Sequence, residues 1–140
     1  MCEFNIAILN TPLDVNSSFA WVQSPGSGGV NIFIGTVRSI SKGKRVLRLE
    51  FESYDAMALN EMKKIATQAA QKWQLHKVLI HHRKGVLQVG EVPVIIAVSS
   101  SGRIAAFEAC RFIIDTLKEK VPIWKREVFE DGAEWVAAHP

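Results

Sequence analysis

The chain is short of cysteine, of long apolar runs and of net charge, and each shortage removes a class of function. Only two cysteines occur in 140 residues, Cys2 and Cys110, far apart and in no CxxC pair. That argues against a disulfide framework and for a reducing cytoplasm. Cys110 falls within an apolar helical pattern and reads as a small buried residue, with no neighbouring motif to support a nucleophile. The longest apolar runs, such as VPVIIAV (92–98), are strand-length, so no membrane span is expected. MCEFNIAILN at the start lacks a basic region followed by a long apolar stretch, which argues against a secretory signal. A formal charge of +3 suits an anionic small ligand or an acidic partner, and is too weak to predict nucleic acid alone. Internal repeats and low-complexity tracts are also missing.

What is present is a chain 48% hydrophobic, enough for one domain over 1–140 with a sizeable core. Alternation marks strands at 3–9, 30–40 and 46–54, and a short helix fits 14–23 with Asp14 as its N-cap. Gly35, inside the second strand, predicts a bulge or a close backbone approach. SPGSGG (24–29) is a loop and SKGKR (41–45) a flexible basic turn. A helix fits 55–73, with Met57, Leu59, Met62, Ile65 and Ala69 on its apolar side. Strands follow at 75–85 and 92–101, with Gly90 in the turn between them. A strong helix covers 103–120 and is closed by Pro122; a strand, a turn and a short final strand occupy 123–136. Hairpin-like neighbours in mixed order favour α+β over doubly wound α/β.

The chemistry concentrates at DTLKEKVPIWKRE (115–127), where Lys118 and Lys125 flank a proline. At about 100° per residue, Ile104, Phe107, Cys110, Ile114, Leu117 and Val121 define the buried stripe of the preceding helix. Lys118 lies on its border, where the stem is covered and the amine emerges at an edge. Beyond Pro122, alternation puts Ile123, Lys125, Glu127 and Phe129 on one face, and Trp124, Arg126, Val128 and Glu130 on the other. Neither face is cleanly apolar or polar, which predicts that some charge lines a cavity. Two readings stand: solvated lysines, or an anion or acyl site. In the second, partial desolvation and a second cation lower a lysine pKa and suit it to acid, base or nucleophilic work.

Other candidates carry less. HHR (81–83) puts adjacent residues on opposite faces, and no cysteine or carboxylate spacing completes a metal site. GSGG (26–29) precedes a strand rather than a helix, so it lacks phosphate-cradling geometry. Lys42, Lys44, Arg45 and Arg48 read as a solvated hairpin turn with no aromatic residue within the run to stack bases. Arg38, at the end of a glycine-containing strand, and Arg103, at a helix start, are possible anion ligands.

Taken together, FIGTVR (33–38), HHRKGVLQVGEVPVIIAVSS (81–100), RIAAFEACRFIIDTLKEKVPIWKRE (103–127) and GAEWV (132–136) resemble the catalytic (large) subunit of molybdopterin synthase. The likeness is collinear from about residue 28 to 136, and the segment ending in PIWKRE is its most specific part. It implies an α/β-hammerhead fold with mixed, largely antiparallel sheets and two main helices. It also implies a homodimer with a small ubiquitin-like sulfur carrier at each end, a heterotetramer overall. The carrier's Gly-Gly C-terminus, as a thiocarboxylate, would enter the large subunit and give sulfur to cyclic pyranopterin monophosphate, with no metal or organic cofactor. By the same resemblance, Lys118 matches the lysine nearest the thiocarboxylate and Lys125 the second essential lysine. Arg38 and Arg103 match arginines of the substrate pocket, and Thr36, Val37, Arg126 and Glu127 its lining. Lys118 would act as acid/base or transient acyl acceptor, and Lys125 as electrostatic positioner.

One departure stands out. The family usually has His-Arg where this chain has Gly102-Arg103. With Gly102 the histidine's contact is missing, or another group such as His81, His82 or water supplies it. The alternative function is a module that docks a Gly-Gly tail without efficient catalysis.

Overall fold

A computed structural model describes residues 1–136, with side chains described through residue 132. The order is β1 (Glu3–Leu9), α1 (Val15–Val22), β2 (Gly29–Gly35), β3 (Ile40–Ser41), β4 (Lys44–Ser53) and α2 (Asp55–Lys72). Then follow β5 (Leu75–Arg83), β6 (Gly85–Gln88), β7 (Val94–Ser100), α3 (Arg103–Lys120), β8 (Ile123–Phe129) and β9 (Gly132–Val136). The expected single domain over 1–140 includes residues 137–140, which lie outside the described residues.

Two sheets form. The first runs β1-β5-β7-β2, with β1 parallel to β5 and the other pairs antiparallel. The second runs β3-β4-β8-β9, with β6 also paired to β4, all antiparallel. This is the α+β arrangement expected from the sequence. All seven residues of β7 are buried because helices cover both faces of the strand. Val94, Ile96 and Val98 join the main core with α2 and α3, while Ile95 and Ala97 pack with Val22 of α1. Each fully buried isoleucine here contributes about 1.5–3 kcal/mol. Among the described residues no helix is long and apolar enough to cross a membrane.

Several local expectations hold. Asp14 caps α1 by accepting from Ser17 N at 3.0 Å. The basic turn is a two-residue hairpin, with Lys42 and Gly43 at φ 55° and 73° between the paired Ser41 and Lys44. Gly35 marks a close approach: a Cβ there would lie 2.6 Å from Val94 Cγ1.

Four expectations need correction. In α2 the buried stripe is Ala58, Met62, Ile65, Ala66 and Ala69, and Met57 is exposed. In α3 it is Ala106, Ala109, Cys110, Ile113 and Leu117, with Ile104 and Phe107 more than half exposed at 68% and 62%. In both helices alanines share the inward side with Met62 and Ile65 of α2 and Ile113 and Leu117 of α3, which lets the helices sit close, so apolar size alone did not mark the packed side. The 75–101 region is also more than one hairpin. Gly85, at φ 101°, turns the chain out of the first sheet, β6 adds to β4, and Gly90 at φ 89° begins the return. Finally, the strand expected over 30–40 stops at Gly35. Residues 36–39 cross from one sheet to the other, pinned by Val37 N to Glu91 O (3.0 Å) and Gly90 N to Val37 O (2.9 Å).

Candidate functional site

At that crossing lies a cavity of about 360 Å³. The first sheet supplies Phe33, Gly35, His82 and Val94; the second supplies Leu49, Phe51, Ile123, Lys125 and Glu127. The end of α3 adds Ile114, Leu117 and Lys118, and the connecting segment adds Thr36 and Arg38. The α3–β8 corner brings the two lysines to one space. Helix α3 closes with Val121 N donating to Leu117 O at 3.0 Å, Pro122 O accepts from Tyr54 N at 3.3 Å, and β8 starts at once. Alternation then turns Ile123, Lys125 and Glu127 inward, as the sequence predicted, and leaves Trp124 facing out.

The lysines differ in setting. Lys118 is exposed, at the rim, whereas Lys125 is half-buried. Desolvation lowers the Lys125 pKa below the usual lysine range; Glu127 opposes this, and the charges of Lys118, Arg38 and Lys42 reinforce it. Glu127 is itself 4% exposed and lies 4.0 Å from Lys42 Nζ. The cavity therefore has a cationic rim with one buried carboxylate on its wall.

Of the adjacent histidines, only His82 faces this space. His81 points to the other face of β5, its Nε2 2.8 Å from Asn5 Oδ1. His82 is buried, stacked edge-on against Phe51 at 5.2 Å between ring centroids, with Nδ1 2.8 Å from Arg83 O. Burial pushes its pKa down to about 4, and the Lys118 charge acts in the same direction.

The remaining expected residues lie elsewhere. The Val37 side chain is in the core. The Arg126 side chain is on the outer face of β8, where its NH1 donates to Glu50 Oε1 at 3.0 Å; Glu50 Oε2 accepts from Arg48 Nε at 3.0 Å. Gly102 and Arg103 sit at the other end of α3, in a separate cleft with Gln74, Ser100 and Ser101. At 1.5 Å rise per residue the helix holds Gly102 and Lys118 about 24 Å apart. One chain thus unites Thr36, Arg38, Lys118, Lys125 and Glu127, and keeps Gly102-Arg103 away. His82 was offered only beside His81 as a substitute for the missing histidine, and Phe33 and Phe51 were missed; the inward face of 46–54 could have flagged Phe51. The basic run at 42–48 meets carboxylates: Lys44 lies 3.4 Å from Asp131, Arg45 3.1 Å from Glu130, and Arg48 bonds Glu50. That pairing leaves little cationic surface for a nucleic-acid backbone.

Residues 8–120 match the family model described as MoaE protein. The chain is 43% identical over 129 residues to the molybdopterin synthase catalytic subunit of Bacillus subtilis, covering 92% of this chain and 82% of that protein. It is 45% identical over 123 residues to the human protein of that name, covering 88% of this chain and 65% of the relative. Against the Drosophila willistoni relative, 42% identical, it covers 94% of this chain and only 36% of the other. Among solved structures, molybdopterin synthase from Staphylococcus aureus superposes with a TM-score of 0.88 at 36% identity, covering 93% of this chain and 95% of that one. A MoaE protein from Burkholderia ambifaria gives 0.84 at 35% identity, covering 97% and 90%.

Proposed function

The chain belongs to the MoaE protein family, and from that premise we propose that it is the sulfur-transferring catalytic subunit of a cytoplasmic molybdopterin synthase. The observation that carries the reading is the convergence of Arg38, Lys118 and Lys125 on one cavity. A thiocarboxylated Gly-Gly tail of a small ubiquitin-like carrier enters at the cationic rim. Arg38 is placed to hold the phosphate of cyclic pyranopterin monophosphate. Sulfur bonds to a substrate carbon as a carbon–oxygen bond of the pterin breaks and its oxygen leaves with a proton; the carbonyl carbon–sulfur bond of the tail then breaks, and the acyl group passes to water or transiently to the Lys118 amine. Lys125, half-desolvated, stabilises the negative charge that develops on sulfur and oxygen. A single-turnover assay with purified chain, thiocarboxylated carrier and pyranopterin substrate tests this. Sulfur should reach the pterin; tail binding without transfer would replace the enzyme with a docking module.

The same proposal includes a homodimer. Ile104 and Phe107 on α3, and Phe33 on the neighbouring β2, are large apolar side chains left partly exposed. A second copy covering that surface is also the route by which Arg103 reaches a cavity, since its own chain holds it at the wrong end of α3. Mixed dimers of Arg103→Ala and Lys118→Ala chains should then recover activity that neither variant has alone, about half of the wild-type rate per mixed dimer and about a quarter averaged over partners mixed at random. No recovery on mixing would remove the shared site.

A further inference from the structure

Arg83 O can only accept, so the 2.8 Å contact requires that His82 Nδ1 carry the ring's proton. In the neutral ring, Nε2 is then a bare acceptor. The Phe51 ring at 5.2 Å and the burial of His82 fix the plane of the imidazole. His82 lines the cavity, and Nε2 is the one ring nitrogen left to serve it.

The groups around it are Lys118 of α3, Lys125 and Glu127 of β8, and Arg38 of the crossing segment. Three of these are cations, which attract the anionic parts of an occupant. A neutral acceptor does the opposite, repelling an anion and rewarding an N–H or O–H donor. The cavity is therefore polarised, with cations at and near its mouth and a fixed acceptor on its buried wall. We propose that His82 is a specificity-determining residue whose Nε2 accepts a hydrogen bond from a ring N–H of the pterin substrate. This rests on the sulfur-transfer reading above.

The acceptor is dependable near neutral pH. Burial holds the His82 pKa at about 4, and the Lys118 charge adds to the same effect, so the ring does not become a donor in that range.

The test uses the whole chain with 15N-labelled histidine and lysine, titrated with cyclic pyranopterin monophosphate and, separately, with a synthetic peptide ending in Gly-Gly. The pterin should move the His82 Nε2 resonance in the direction of an accepted hydrogen bond, and the peptide should leave it unchanged. In steady state, His82→Leu, close in volume, should raise KM for the pterin about tenfold with kcat changed less than twofold. His82→Gln, whose amide oxygen can replace Nε2, should recover most of that loss. A simple packing role predicts no recovery with Gln. Pterin binding that moves the Lys118 and Lys125 signals and leaves Nε2 unmoved overturns the assignment and spares the functional reading. A shift with the peptide alone transfers the acceptor to the carrier tail and also overturns it. Binding of neither ligand removes both.

Discussion

Replacing Lys118 with alanine should lower sulfur transfer at least about 100-fold while the protein stays folded. The side chain projects from the last turn of α3 to the cavity rim and, among the described residues, takes part in none of the ion pairs that tie the surface together. Nearby Asp115 is engaged by Arg111 at 3.5 Å. Alanine is the best helix former, so the helix that carries residue 118 is not weakened. On the proposed reading the loss falls on chemistry: the carbonyl at the mouth loses one of its cations, and the transient acyl acceptor is gone. Single-turnover rates with thiocarboxylated carrier, together with a thermal melt and a sedimentation profile, check the prediction. Near-normal turnover would take the lysine out of the mechanism.

A second large effect is acid sensitivity. The buried His82 titrates at about 4 in the folded chain, against an ordinary value of 6.5. Because the folded pKa is depressed, the unfolded chain binds more protons between those values, and stability rises with pH across that window. Taking the pH from 7 to below 4 should cost about 3 kcal/mol from this one residue. His81, shifted down by its own partial burial, adds in the same direction. Glu50, Asp55 and Glu91 are held below their usual range by bonds from Arg48, Lys84 and Gln88 N respectively, so their losses come at lower pH. Urea unfolding between pH 4 and 7 should give a slope that largely disappears in His82→Gln. An unchanged slope in that variant would mean that the ring is not buried neutral in solution.

Much of the site was legible because periodicity and punctuation are local. Helix α3 runs over the expected 103–120, bounded by Gly102 and Pro122. The facing of Lys125 and Glu127 followed from alternation alone. The separation of Gly102-Arg103 from Lys118 was also available, since an unbroken helix fixes its own length. What could not be read depends on contacts between distant segments. The inward stripes of α2 and α3 run through alanines, and their direction is set by the sheet they meet. Strand β6 is four residues long and becomes a strand only because β4 has a free edge beside it. His82 sits in a β5 that is mostly buried on both faces, so sequence position does not say which histidine meets the cavity.

The corner between α3 and β8 has a consequence for evolution and engineering. Only Val121 and Pro122 separate the helix from the strand. A strand reverses its faces with every residue, and β8 is locked to β4 from Ser53↔Ile123 to Val46↔Phe129. Adding or deleting one residue at the corner would either distort the end of α3 or slip that register and exchange Lys125 for Trp124 or Arg126 on the inner face. The seven-residue interval from Lys118 to Lys125 thus behaves as a ruler, tolerant of many substitutions and closed to a change of length by one.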